Sequence, residues 1–184
     1  MSRSLHVYAT HFPAVRAVLG SQDRALVKTL SRGGDAPELT GALEEIVARA
    51  PGSASAPWRR SPVWLTFAQE RLCEAYGRAL PNDGVSGTSL SRLEELDRGL
   101  AATGLSVSLE SLMYGGGPLK GLPWPDDFPS MGHWTPEETA ALRDAYGRLK
   151  PESEDPDVDE VLVMLGEWLE RSQARDHGLV GVYY

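Results

Sequence analysis

Ser4 to Thr10 reads SLHVYAT. Leu5, Val7 and Ala9 alternate with His6 and Tyr8, the period of two that a half-buried strand imposes on side chains pointing to opposite faces of a sheet. At the other end of the chain Leu179 to Tyr184 reads LVGVYY, a short apolar run with the β-branched and aromatic residues that strands favour. Neither run can satisfy its backbone N–H and C=O groups alone, so the two are expected to pair in one small antiparallel sheet. Everything between them reads mainly as helix. The expected fold is therefore α+β: residues 1–184 as a helix-rich single domain whose sheet joins the N- and C-terminal strands.

The helices announce themselves by spacing and punctuation. Pro13 opens a short one carrying Val15, Val18 and Leu19 and ending at Gly20, and Ser21 is placed to cap a second whose inward face is Leu26, Val27 and Leu30. Gly33-Gly34 stops it, and Pro37 starts a third with Leu39, Ala42, Leu43, Ile46, Val47 and Ala50 on one stripe. PGSASAPWRRSP, Pro51 to Pro62, is rich in small residues and proline and reads as an exposed connection. Beyond it Leu65, Ala68, Leu72, Tyr76 and Leu80 form a helical face that Pro81-Asn82-Asp83-Gly84 breaks. Another helix runs from about Leu90 with Leu93, Leu96 and Leu100 inward and Gly104 just past its end. Leu105 to Tyr114 has a strand-like first half and a helical second half behind Ser108, and helix is the favoured reading. Thr135-Pro136-Glu137-Glu138 is a capping-box start for a helix with Leu142, Tyr146 and Leu149 on its apolar face. The clearest period in the chain follows the acidic run PESEDPDVDE: Val158, Val161, Leu162, Leu165, Trp168 and Leu169, with His177-Gly178 as its close.

Between Gly115 and Trp134 the run GGGPLKGLPWPDDFPSMGHW reads as a long proline-stiffened loop pinned against the capped helix. Loops of this length carry binding or catalytic residues more often than they serve as spacers. Asp126, Asp127 and His133 share it and are the candidate catalytic set, as general acid and base or as ligands of a divalent metal. The competing reading makes the two aspartates solvated turn residues and the histidine a structural hydrogen-bonder. Trp124 and Trp134 bracket the loop and, with Tyr114 before it, are candidate aromatic anchors for a ligand or partner. Folding of the tryptophans back onto the core is the alternative. Gly115-Gly116-Gly117 with Lys120 lacks the preceding strand and the following Ser/Thr of a phosphate cradle. Ser130 lacks a nucleophile elbow, and Cys73, the single cysteine, reads as a small buried side chain. The spacing of His6, His11 and His177 specifies no metal site, and no metal and no cofactor is expected.

A formal charge of −8 and a sequence pI near 5.0 disfavour nucleic acid as a partner, because phosphates require clustered Lys and Arg. A basic protein partner or a neutral small molecule fits better. Asp155, Asp157 and Asp159, in the acidic run, are the residues expected to meet such a basic surface, against the plainer reading of a solvated helix approach. One cysteine is compatible with a reducing compartment, and no apolar run approaches a bilayer span or forms a leader, so a soluble cytoplasmic protein with no membrane partner is expected.

The order of motifs carries a resemblance. The MSRSLHVYAT opening, the Trp64 to Gly77 segment with its W-x2-F-x4-L-C-x-A-Y-G pattern, the GGGPL loop, the FPSMGHWTPEE helix start and the closing DHGLVGVYY strand are similar to uncharacterised small bacterial proteins of the YfbM-like type, more narrowly an actinobacterial group. The similarity spans most of the chain in order, and the Pro51 to Pro62 stretch has no counterpart. It implies a single α+β domain and transfers no catalytic residue. Two function classes follow from the residues: a non-catalytic binding protein of the immunity or antitoxin kind, with an acidic face for a basic partner, or a small hydrolase or transferase using His133 with Asp126 or Asp127. A pocket holding a histidine hydrogen-bonded to a carboxylate would favour the second; an acidic face with exposed tryptophan would favour the first.

Overall fold

In the computed structural model the described residues are 4–31, 34–49, 57–82, 85, 90–174 and 176–184. The terminal runs do pair. Strand β1 (Leu5–His11) and strand β4 (His177–Tyr183) are antiparallel, with Leu5 opposite Tyr183 and His11 opposite His177. They are the two central strands of a four-stranded sheet whose edges are β2 (Gly77–Leu80), on β1, and β3 (Ser130–Trp134), on β4, in the order β2-β1-β4-β3. Both edge strands come from stretches whose local pattern reads otherwise. Strand β2 occupies what the 3.6-residue spacing of Leu72, Tyr76 and Leu80 assigns to helix, and β3 is the end of the long Gly/Pro/Trp run. Helix α4 (Pro62–Ala75) stops early, and Gly77 lets the chain turn straight into the sheet. A β-carbon there would lie 2.5 Å from the Ala9 carbonyl oxygen and 2.6 Å from that of Cys73.

The sheet is covered on both faces, which makes its central strands more buried than an alternating pattern implies: only His6 of β1 is exposed. Leu5, Val7, Ala9, Leu179, Tyr183 and Trp134 face a cluster built with α5 (Leu90–Ala102), α6 (Leu109–Tyr114), α7 (Pro136–Leu149) and α8 (Pro156–Arg171). Trp168 of α8 is fully buried there, and its indole N–H donates to the Pro81 carbonyl. Burying an aromatic of this size removes the largest single apolar area a residue can offer. On the other face Tyr8, Phe12, Met131, Val180 and Val182 meet Cys73 of α4. Beyond them α1 (Phe12–Val18), α2 (Arg24–Leu30) and α3 (Pro37–Ala48) pack with α4 around Val15, Leu43, Ile46 and Leu65.

The stripes read from spacing are inward in α3, α5 and α8, with Leu39, Leu43, Ile46, Leu93, Leu100, Val161 and Leu165 all buried. Ala50, Gly33 and the Asp83-Gly84 break lie outside the described residues, as do 51–56 of the Pro51 to Pro62 connection. The rest of that connection is tied down: Trp58 donates its indole N–H to the Gly121 carbonyl at 2.8 Å, and Arg49 stacks 3.8 Å over its ring. Asp23, not Ser21, caps α2, its carboxylate accepting from the Leu26 N–H at 2.9 Å. Leu149 stands 44% exposed at the end of α7, and α8 ends at Arg171, so His177-Gly178 opens β4 instead of closing the helix. Behind Ser108, whose hydroxyl accepts from the Ser111 N–H at 3.2 Å, the chain is helical as expected.

Candidate binding cleft

Several polar side chains converge where α4 crosses the end of the sheet. Helix α4 carries Phe67, Glu70, Arg71 and Glu74 at i, i+3, i+4 and i+7, a single face beside its buried stripe. His6 and Tyr8, two residues apart on β1, point to this same side of the sheet. Tyr184 follows β4 and is held by reciprocal bonds with Ser4, its N–H donating to the Ser4 carbonyl at 2.9 Å and its carbonyl accepting from the Ser4 N–H at 3.3 Å.

Glu70 is the centre. Its Oε1 accepts from the Tyr8 hydroxyl at 2.9 Å and lies 3.1 Å from Nδ1 of His6, while Oε2 accepts from the Tyr184 hydroxyl. A carboxylate can only accept, so Nδ1 of His6 carries the proton it shares. Burial, the Glu70 charge and its hydrogen bond push both tyrosines above the ordinary phenol range, which keeps them protonated as donors to Glu70. Arg71 is spanned by carboxylates, at 3.2 Å from Asp35 and 3.1 Å from Glu74. Rings line the wall: Tyr184 lies 5.0 Å from His6 and 6.0 Å from Phe67, stacked at 29° on the latter. The cleft, open to solvent on one side, has a volume of about 260 Å³. A larger one, about 670 Å³, opens between α2 and α3, lined by Arg24, Lys28 and Glu44 as well as by Thr40, which donates to Ser31, and Gln22, which donates to the Ala48 carbonyl, but no set of side chains gathers on one group there as they do on Glu70. Convergence of a few polar groups on an apolar wall is what marks a ligand site, and the smaller cleft has it.

The residues singled out in the sequence are placed differently. Asp126 and Asp127 are exposed, and Asp127 accepts from its neighbour Phe128 N–H at 2.8 Å. His133, half-buried in β3, turns Nδ1 to the Gly116 carbonyl and its ring to Phe12 at 5.5 Å. No described contact joins it to either aspartate. Trp134 is 5% exposed, with its indole N–H donating to the Ser111 hydroxyl at 2.9 Å, so it belongs to the core of the sheet. Trp124 is 46% exposed and lies across Gly116, and Tyr114, 43% exposed, meets Tyr183 edge-on at 5.9 Å. Asp155 is the N-cap of α8, accepting from Asp157 N–H at 3.0 Å and Val158 N–H at 3.4 Å. Asp157 pairs with Arg92 of α5, and Asp159 is exposed. Cys73 is fully buried, and burial pushes its thiol up to about 12 although the Thr10 hydroxyl beside it acts the other way.

The Glu70 cleft left little trace in the sequence. Tyr8 and Glu70 are separated by 62 positions and Tyr184 and Glu70 by 114, and only the β1–β4 register brings them together. The one local signal is a Phe-x2-Glu-Arg-x2-Glu face on a helix whose other side is apolar.

Residues 1–184, the whole chain, match the family model of a domain of unknown function, DUF7691. The chain belongs to that family. No curated protein and no solved structure matches it. Among the described residues no group of three or more His, Cys, Asp or Glu can hold a metal ion, and no helix is long and apolar enough to cross a membrane.

Proposed function

We propose that the protein is a non-catalytic binding protein of the immunity or antitoxin kind, working in the cytoplasm and recognising a basic partner protein through an acidic face. The observation that carries this reading is the outer surface of α8. Asp159, Glu160, Glu167 and Glu170 stand exposed there around Val163, itself 59% exposed, and the helix itself carries one cation, Arg171, 3.4 Å from Glu167. Carboxylates around an apolar residue steer a basic partner at long range and offer it a contact to desolvate at short range. Trp124 and Tyr114 supply a second exposed apolar area. The non-catalytic part is supported by how the candidate nucleophiles and bases are engaged: Cys73 is buried as a thiol, His133 is turned to a backbone carbonyl, and Glu70 accepts from three donors.

The alternative, a small hydrolase or transferase built on His133 with Asp126 or Asp127, has less support because the aspartates are solvated and no contact links them to the histidine. Kinship with the YfbM-like proteins is likewise a proposal, resting on the motifs quoted above. The test is a partner captured from the native host and purified. Removal of the α8 charges, as Asp159→Asn with Glu160, Glu167 and Glu170→Gln, is expected to slow its association at least about tenfold and flatten the salt dependence. Removal of as many exposed carboxylates elsewhere, at Glu38, Glu44, Glu94 and Glu110, leaves the rate near that of the parent. A partner whose association is indifferent to the α8 charges overturns the reading, and turnover of a substrate lost with His133→Ala favours the enzyme.

A further inference from the structure

We propose that the cleft between α4 and the β1–β4 end of the sheet binds an organic cation, an ammonium or guanidinium head on an aliphatic stem. The site lies on the opposite face of the sheet from α8 and does not rest on the reading of the α8 surface.

The argument is one of donors and acceptors. Glu70 takes the hydroxyl protons of Tyr8 and Tyr184, so each phenol oxygen is left with lone pairs to offer a donor. A phenol that donates to a carboxylate is also a stronger acceptor, because the chain of hydrogen bonds polarises it. Arg71, the guanidinium of the cleft, is already spanned by Asp35 and Glu74. Among the described residues that line the cleft, the carboxylates Glu70 and Glu74 stand beside one arginine, Arg71. The cleft is thus acidic and rich in acceptors, and a ligand that fits must bring protons and positive charge. Its walls agree, since the faces of Tyr184 and Phe67 and the side chain of Leu39 suit a cation on an apolar stem, which gains from ring quadrupoles as well as from burial. The volume, about 260 Å³, has room for a head of this kind with a short chain and is too small for a nucleotide.

Such a head can arrive as a free amine or guanidine or as a lysine or arginine side chain of a protein, and calorimetry separates the two. The probes are 1,4-diaminobutane and agmatine on one arm, and doubly capped lysine and arginine tripeptides on the other, with 1-hexanol and hexanoate as neutral and anionic controls. Saturable binding of the cations at millimolar concentration, with amide shifts at His6, Tyr8 and Tyr184 and none with the controls, is the expected result. The tighter arm identifies the source. Tyr184→Phe, which keeps the ring and removes one acceptor, and Glu74→Gln, at the half-exposed mouth, are each expected to weaken binding several-fold. Glu70→Gln is expected to weaken it at least about tenfold, since it removes the charge that orients both phenol acceptors. Glu74→Gln keeps the test valid if Glu70→Gln disturbs folding. Binding of hexanol as tightly as of the amines, or no saturation by any cation, overturns the proposal. The α8 charge variant binds these probes as the parent does, so loss of the partner and loss of the cation are separate results.

Discussion

Gly132 and Gly181 stand directly opposite each other across the β3–β4 pair, and α6 is laid over them. A β-carbon on Gly132 would run into the Ser111 and Leu112 carbonyls, and one on Gly181 into the Leu112 carbonyl and side chain. These obstacles are mostly backbone, so they cannot swing aside as a flexible side chain would. Gly132→Ala and Gly181→Ala are therefore expected to cost about 2–4 kcal/mol each, at the upper end of overpacking, by lifting α6 off the sheet. Urea denaturation checks this, with Gly147→Ala, where a β-carbon meets open space, as the control. Equal midpoints for all three variants would mean that α6 does not depend on that flat pair.

Removing Leu179–Tyr184 takes away more than a terminal strand. Because β4 lies between β1 and β3, its loss strips ladder partners from both, removes the fully buried side chains of Leu179, Val180, Val182 and Tyr183, and exposes the core residues that packed on them. At about 1.5–3 kcal/mol for each large apolar side chain, the loss is comparable to the whole stability of a domain. The truncated chain is expected to show no cooperative thermal transition and to aggregate. A truncation that melts like the parent removes the sheet as the organiser of the fold.

What was legible in the sequence was what short-range physics decides. The capping box at Thr135, the stripe of α8 and the terminal strands each depend on residues within a few positions of one another. Strands β2 and β3 do not. Gly77–Leu80 continues the helical spacing of α4, and Ser130–Trp134 sits among prolines and glycines; both become strands because β1 and β4 offer them unpaired edges. Trp134 illustrates the consequence, since a residue at the end of a loop becomes a core residue once the loop ends in a strand. The cleft was hidden for a related reason. Its acceptors are set by which face of β1 carries His6 and Tyr8 and by where Tyr184 ends, and neither can be read before the register is known.

Thr135 and Glu138 close their box in both directions: the Thr135 hydroxyl accepts from the Glu138 N–H at 3.2 Å, and Glu138 Oε2 accepts from the Thr135 N–H at 2.7 Å. Thr135→Ala is expected to destabilise by about 1 kcal/mol and Glu138→Ala by less, because the first leaves a helical N–H without its acceptor at the start of α7. Since Trp134 immediately precedes the cap and ends β3, hydrogen exchange in β3 is expected to quicken in Thr135→Ala. Unchanged exchange there would show that β4 alone holds the strand.

Alkaline pH tests the buried hydroxyls and the thiol together. Tyr8 and Tyr184 have an ordinary value of 10.0 and are raised in the folded protein, by burial first and by Glu70 second. Cys73 is raised from 9.0 to about 12, mainly by burial. For an acid whose folded value is raised, the unfolded chain gives up its proton first. The associated stability is then fully present below the unfolded value and is lost as pH climbs through the interval towards the folded one. Loss is expected to begin near pH 9 with Cys73 and to steepen past pH 10 as the tyrosines join. Each group contributes at most about 1.4 kcal/mol per pH unit, and Tyr184, which is only partly buried, less, because solvent screens it. Urea midpoints taken in steps from pH 8 to pH 11 measure the slope. Tyr184→Phe is expected to flatten the part above pH 10, and Cys73→Ala the part that begins near pH 9, whatever each does to stability at neutral pH. A slope that neither substitution changes would place the alkaline lability elsewhere in the chain, and a flat profile would mean that these groups do not depend on the fold for their protons.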